Sequence, residues 1–475
     1  MTTNRRKKAH IFTIALIAAT GGLLFGFDTG VISGALPFIR DQWNLTESQR
    51  GFIVSSVLLG AVLGSMFSGR ITDKFSRRNT IIVTALMFFS GAISSALAPD
   101  INWLVISRII IGIAIGVSSF VVPLYISELS PARNRGALVT LNQLMITMGI
   151  LLSYLSNLGL VDIPNNWRWM FFVGTIPSLI LFVGMLLLPK TPRWLMSKGY
   201  ESEAKKTFDK IEEQSLVDDA LLKMKTDMAS DTEPHYKLKE LFRPWHLTPF
   251  ILGIGIMFIQ QFIGINTFVY YGPSIFEMAG FGTRFSSLAA TVGIGVINVF
   301  FTVVAIALLD RVGRKPLYYL GLIGMVVSLI MLASAFHFFF FFGSSLKWIV
   351  LVFILIYVGF FAISLGPIAW LIVSEIFPLR IRGFGMSIAT LSNWVFNWIV
   401  TYSFLKLSGS LTLPGKEIWQ QSKLGPNPAG AFMIYAIIGI FGIILGIIFL
   451  PETKGYTLEE IEEHWKKRKK SKNLN

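Results

Sequence analysis

Ser127-Glu-Leu-Ser-Pro-Ala-Arg-Asn-Arg-Gly136 returns as Ser374-Glu-Ile-Phe-Pro-Leu-Arg-Ile-Arg-Gly383. The shared pattern is S-E-[LI]-x-P-x-R-x-R-G, and its second copy starts 247 residues on (127 to 374) in a chain of 475. Each copy follows a long apolar stretch and carries an acid, a helix-breaking Pro and two Arg. Two more pairs keep the same order. Asp73-Lys-Phe-Ser-Arg-Arg78 corresponds to Asp310-Arg-Val-Gly-Arg-Lys315, and Pro189-Lys-Thr-Pro-Arg-Trp194 more loosely to Pro451-Glu-Thr-Lys-Gly455. Three ordered pairs mark a chain built as two related halves.

The composition places those halves in a membrane. Hydrophobic residues make up 53% of the chain and charged residues 15%, against about 25% charged in soluble domains. Mean hydropathy is +0.63. With no Cys, disulfides, thiolate metal sites and thiol chemistry are excluded. The five His show no ligand spacing, so no metal is expected, and no Gly-rich phosphate loop follows a strand. The net charge of +15 does not indicate nucleic acid, because Lys and Arg sit in short loops and at the termini.

Apolar runs of about 20 residues each span a bilayer. Twelve are read, at about 11–33, 51–69, 80–98, 102–125, 137–158, 168–188, 247–271, 285–308, 316–338, 348–374, 384–406 and 430–450. The fold class is thus all-α and integral to the membrane, with twelve transmembrane helices in two six-helix halves. Six spans per half make the halves parallel repeats about an axis along the membrane normal, an architecture of transporters. The expected division is 1–189, a linker at 190–246, 247–450 and a tail at 451–475. In the linker, apolar residues such as Phe208 and Ile211, or Leu221 and Leu222, recur at helical spacing, which predicts short amphipathic helices. Thr457-Leu-Glu-Glu460 reads as a capping box opening a tail helix. Arg5 to Lys8, Arg70 to Arg78, Arg133 and Arg135, Arg311 to Lys315, Arg380 and Arg382, and Lys466 to Lys470 all fall on one side. That side is predicted to be cytoplasmic, with both termini inside. The first apolar segment lacks an evident cleavage site and reads as a retained helix.

The motifs then become specific in combination. Gly69-Arg70-x-x-Asp73-Lys74-x-x-Arg77-Arg78, the two S-E phrases, Pro189-Lys-Thr-Pro-Arg-Trp-Leu195, Gln260-Gln261-Phe-Ile-Gly264-Ile-Asn266 and Pro451-Glu-Thr-Lys-Gly455 resemble those of the sugar porter family of the major facilitator superfamily. The resemblance runs from about residue 11 to 465. One departure stands out: the family commonly has Glu-Ser where this chain has Lys190-Thr191. The resemblance implies a transporter rather than an enzyme, without cofactor, in the plasma membrane. Its expected partners are a monosaccharide, a proton and the lipid bilayer, and it is expected to work as a monomer.

Two charges fall inside spans, where charge costs several kcal/mol and marks function. Asp28 lies in span 1 and Arg108 in span 4. Counting about 1.5 Å per residue places them roughly 7 Å and 9 Å from the same surface, so they are expected to pair. Burial raises a carboxylate's pKa and a nearby Arg lowers it, which suits a proton site. The resemblance implies the same, since proton-coupled members carry Asp there.

A sugar presents hydroxyls, which amides match, and C–H faces, which aromatic rings cover. Span 7 supplies Gln260, Gln261, Asn266, Tyr270 and Tyr271, with Gly264 able to loosen the helix. Gln260 and Gln261 point about 100° apart on a helix, so one ligand cannot face both equally. By resemblance, Gln143, Asn298, Gly366, Trp370, Asn393 and Trp394 join them. Glu128, Arg135, Glu375, Arg382, Asp73, Arg77, Asp310 and Arg314 stand at cytoplasmic helix ends and are expected to form an ion-pair latch. The reading is a proton-coupled importer of a hexose such as glucose or galactose. A facilitative uniporter and a transporter-like sugar sensor are its alternatives.

Overall fold

The computed structural model describes residues 2–130, 135–211, 226, 244–377, 381–410, 426–454, 460 and 465. Eleven of its helices or helix pairs are long and apolar enough to cross a membrane. The remaining one, Arg382–Ser410, is 29 residues long. It falls below the others in hydropathy because Ser387, Asn393, Asn397, Thr401 and Ser403 interrupt its apolar residues. The twelve expected spans are therefore all present.

Spans 1 to 5 are Thr2–Trp43, Glu47–Phe75, Arg77–Ala96, Ile101–Leu129 and Arg135–Gly159. Span 6 joins Asn166–Val173 to Thr175–Leu187. Span 7 is Pro244–Phe262 followed by Ile265–Met278, span 8 Arg284–Val312 and span 9 Arg314–His337. Span 10 is Leu346–Ile363 with Leu365–Ile376, span 11 Arg382–Ser410 and span 12 Ala429–Phe449. The phrase helices end at Leu129 and Ile376, just ahead of prolines 131 and 378, which lie outside the described residues along with the 411–425 segment.

Span 1 departs from expectation. It runs ten residues past the predicted end at 33, through Pro37, to Trp43. Pro37 leaves one helical hydrogen bond unmade, but Ala35, Leu36 and Ile39 are fully buried. Their burial outweighs the lost hydrogen bond at the proline.

The linker forms two of the expected short helices, Pro192–Ser197 and Glu201–Ile211. Ala204, Phe208 and Ile211 turn inward while Glu201, Glu203, Lys205 and Lys206 stay exposed. Leu221, Leu222 and all but Glu460 of the tail capping box lie outside the described residues.

Two compact units emerge. One holds residues 1–28, 60–150 and 168–235, the other 29–59, 151–167 and 236–475. The second thus takes in one end of spans 1, 2 and 5 together with the second half of the sequence.

The repeated motifs fold alike. Ser76 precedes span 3 at φ 78° and ψ 152°. Its counterpart Gly313 precedes span 9 at φ 101° and ψ 169°. A left-handed φ costs a serine about 1 kcal/mol or more, and Ser76 offsets it by accepting the Asn79 N–H at 3.3 Å.

Inside the first unit, spans 2 and 4 cross at backbone contact. A Cβ placed on Gly60, Gly64 or Gly116 would overlap the carbonyls of Ile109, Ile113 and Ala61 respectively. Gly60-x-x-x-Gly64 and Gly112-x-x-x-Gly116 are small-residue faces of the kind that draw membrane helices together. Gly116→Leu is therefore expected to cost about 3 kcal/mol or more, seen as a lower Tm and a smaller monodisperse fraction. Gly69→Leu, at a glycine with open space around it, is the control and should leave both nearly unchanged.

Candidate functional site

Asp28 and Arg108 meet inside the first unit. Asp28 is 6% exposed and Arg108 fully buried. Arg108 Nη2 lies 3.6 Å from Asp28 Oδ2, within ion-pair range but too far for a direct hydrogen bond. Asp28 Oδ2 accepts no hydrogen bond among the described residues. The two residues pair although they do not lie at matching distances from their helix ends. Asp28 stands 15 residues before Trp43, roughly 22 Å along the helix, and Arg108 stands seven after Ile101, roughly 10 Å. The pair forms although those lengths differ, because span 1 continues ten residues past the level from which the depth was counted.

The span 7 amides sit at a break in their helix. Gly264 adopts φ 94° between the two segments. A Cβ there would run into the Tyr435 ring, so glycine is required both by conformation and by space. The break frees backbone groups, and a side chain recovers one of them. Tyr357 donates its hydroxyl to the Ile263 carbonyl at 2.8 Å; beside it the Tyr435 and Thr267 hydroxyls bond to each other at 3.0 Å.

Gln260 and Gln261 part as the helix geometry predicts. Gln260 Nε2 donates to the Leu365 carbonyl at 2.9 Å, and its Oε1 accepts from Asn393 Nδ2 at 2.6 Å. That binds span 7 to spans 10 and 11. Gln261 Oε1 instead accepts from Asn266 Nδ2 at 2.6 Å. Span 10 is itself broken at Ser364, beside Gly366. Pro367 has no N–H to return to the Ile363 carbonyl.

The other expected residues separate. Asn298 and Trp394 are buried, whereas Trp370 is 39% exposed. Tyr270 and Tyr271 are buried, and the Tyr271 hydroxyl donates to the Thr401 carbonyl at 2.8 Å. Gln143 is half-buried in span 5 and belongs to the first unit. Among the described residues no cluster of His, Asp or Glu could hold a metal ion.

At the other end of the helices, the repeated motifs engage each other. Arg77 Nε contacts Glu128 Oε1 at 3.1 Å and its Nη1 contacts Asp73 at 3.0 Å. In the second half Arg314 Nη2 contacts Glu375 Oε1 at 3.0 Å. Each pair closes within its own unit. The side chains of Arg135, Asp310 and Arg382 lie outside the described residues. Glu452 accepts backbone N–H bonds from Arg314 at 3.2 Å, Lys315 at 3.0 Å, Thr453 at 3.0 Å and Lys454 at 2.9 Å. Burial pushes the Glu452 carboxyl up, but these four donors outweigh it and hold it below the usual carboxylate range.

Sequence reading missed a charge cluster at the end opposite the repeated phrases. Arg40 and Asp41 end span 1, Glu277 ends span 7 and Arg284 opens span 8. Arg40 contacts Asp41 at 2.7 Å and Glu277 at 3.6 Å. Arg284 contacts Asp41 at 2.5 Å and also pairs with Glu277. Nearby, Arg50 Nη2 donates to Ser274 Oγ at 3.2 Å and the Tyr154 hydroxyl to the Val269 carbonyl at 2.8 Å. These contacts join sequence from both halves inside the second unit. The only sequence signal was a set of isolated charges at span ends, 243 residues apart for Asp41 and Arg284.

The sequence profile described as "Sugar (and other) transporter" matches residues 14–465. The chain belongs to this sugar transporter family. Among its relatives is the putative metabolite transport protein YwtG of Bacillus subtilis, 42% identical over 96% of this chain and 95% of that one. The glucose transporter GlcP of Staphylococcus epidermidis is 40% identical over 97% and 98%. The galactose-proton symporter of Escherichia coli is 35% identical over 99% and 97%. Of solved structures, the inward open conformation of the xylose transporter XylE from E. coli gives a TM-score of 0.81 at 33% identity, covering 96% of this chain and 100% of that one. The proton:xylose symporter XylE bound to 6-bromo-6-deoxy-D-glucose gives 0.76 at 33% identity, covering 97% and 100%.

In this sugar transporter the Arg40–Asp41–Glu277–Arg284 cluster predicts a measurable opening. Half-exposed pairs contribute about 0.2–1 kcal/mol each, so removing Asp41 and Glu277 together should shift closure several-fold. The chain has no Cys, so Ser274→Cys, at a site 3% exposed, gives a single reporter. Maleimide should label it several times faster in the Asp41→Ala, Glu277→Ala background than with the cluster intact.

Proposed function

We propose that this transporter imports a monosaccharide, a hexose such as glucose or galactose, together with a proton by alternating access. It does so as a monomer across the plasma membrane, with both termini cytoplasmic. The six-helix halves at 1–189 and 247–450 rock about a sugar site, joined by the 190–246 linker and braced by the tail from 451. Support for a hexose comes from the relatives named for glucose and galactose transport.

The observation that carries the proton assignment is Asp28 facing Arg108 with Oδ2 accepting no hydrogen bond among the described residues. A buried carboxylate held by a 3.6 Å ion pair at Oδ2 is poised between two states. Ionised, it holds Arg108 by Coulomb attraction. Protonated, it releases Arg108 and sheds its desolvation penalty. Protonation from outside, release of span 1 from span 4 and movement of the halves then form one sequence.

The sugar assignment divides the amides. Gln260, held between the Leu365 carbonyl and Asn393, serves as scaffold. Gln261 and Asn266 use only one end of each amide on each other and offer the rest to sugar hydroxyls. Asn298, Tyr270, Tyr271, Trp370, Trp394, Gly366 and Gln143 complete the proposed lining. The cluster of Arg40, Asp41, Glu277 and Arg284 serves as the outer gate. The pairs Arg77–Glu128 and Arg314–Glu375, with Asp73, Asp310, Arg135 and Arg382, form the cytoplasmic gate and rearrange into pairs between the halves when the outside opens.

Asp28→Asn tests the coupling. Proteoliposomes carrying it should lose gradient-driven accumulation of labelled glucose or galactose, by at least about tenfold, while sugar counterflow persists. Accumulation that survives the substitution would show that the proton enters elsewhere.

A further inference from the structure

We propose that a phosphate group binds a cytoplasmic cavity of the first half, where Lys190 has replaced the carboxylate that fills the matching place in the second half. The cavity, about 390 Å³, is lined by Arg78, Pro189, Lys190, Leu195, Glu203, Lys206 and Thr207. Three cations against one carboxylate leave an excess of two positive charges.

The internal repeat supplies the reason to expect an anion. Pro451-Glu452-Thr453 matches Pro189-Lys190-Thr191, and Arg314-Lys315 matches Arg77-Arg78. In the second half the Glu452 carboxylate accepts the N–H groups of Arg314 and Lys315. In the first half an ammonium stands in its position and cannot accept. The Lys190 Nζ lies 5.2 Å from the Trp194 ring centroid. Arg78 is fixed in place, its Nε donating to the Met185 carbonyl at 3.1 Å and its Nη2 to the Leu186 carbonyl at 2.6 Å. A rigid guanidinium and two flexible ammonium groups around a cavity suit a phosphate, which accepts from all three.

The site reaches the gate through covalent and hydrogen-bonded neighbours. Trp194 Nε1 donates to the Asp73 carbonyl at 3.1 Å, and Asp73 pairs with Arg77, which pairs with Glu128. An anion that ties Lys190 to the fixed Arg78 therefore stiffens this side of the gate. Two sources offer the same chemistry. Leu186 and Leu187, 46% and 80% exposed, end span 6 just before the lining residues Pro189 and Lys190, so an apolar surface for lipid adjoins the cationic groups that would meet a phospholipid headgroup. A free phosphate in the cytoplasm is the other source.

The inference rests on the topology given above, not on the sugar or the proton, so its failure leaves uphill transport untouched. The full chain is placed in phosphatidylcholine nanodiscs and its Tm followed with potassium phosphate against potassium chloride at equal ionic strength. A second set replaces part of the lipid with phosphatidylglycerol. Lys190→Glu restores a carboxylate in cis, and Lys190→Ala removes the charge alone. Wild type should gain Tm from phosphate, from phosphatidylglycerol or from both, which identifies the source. Lys190→Glu should start with the higher Tm, respond to neither, and bind at least about tenfold more weakly, while Lys190→Ala loses the response without the gain. Equal responses in wild type and Lys190→Glu, or none in wild type, would overturn the site.

Discussion

Much in this protein depends on one carboxylate and one guanidinium removed from water. An ion pair in a low-dielectric interior is stable only if attraction and hydrogen bonds return what desolvation costs. Between Asp28 and Arg108 the return is incomplete, since 3.6 Å forgoes a direct hydrogen bond. Such a pair is a weak fastener and a sensitive one. A proton on Asp28 would remove its Coulomb attraction to Arg108 and with it the reason for the two helices to hold together at this point. The fold protects this arrangement. Glycine faces let spans 2 and 4 approach closely, which fixes the helix that carries Arg108.

The duplication sets symmetry, and the departures from it carry the specialised chemistry. Both halves repeat the turn at Ser76 and Gly313 and the pairings Arg77–Glu128 and Arg314–Glu375. The left-handed break at Gly264, the break at Ser364 and the paired amides lie in the second half. Asp28 and Arg108 lie in the first. Lys190 and Glu452 are a third departure, in which matched positions carry opposite charge.

The spans were legible because they rest on a local rule, the length of a hydrophobic run. The separation of Gln260 from Gln261 was legible for the same reason, from the turn angle of a helix. The end of span 1 was not, because burial of Ala35, Leu36 and Ile39 depends on partners far along the chain. Nor was the cluster of Arg40, Asp41, Glu277 and Arg284, whose members are brought together only by tertiary packing.

The most direct test of the central claim is transport by the purified wild-type protein in liposomes under an imposed inward proton gradient. Labelled glucose or galactose should accumulate above its external concentration and return to it when a protonophore collapses the gradient. Equilibration alone, unchanged by the gradient, would contradict proton coupling through Asp28 and Arg108.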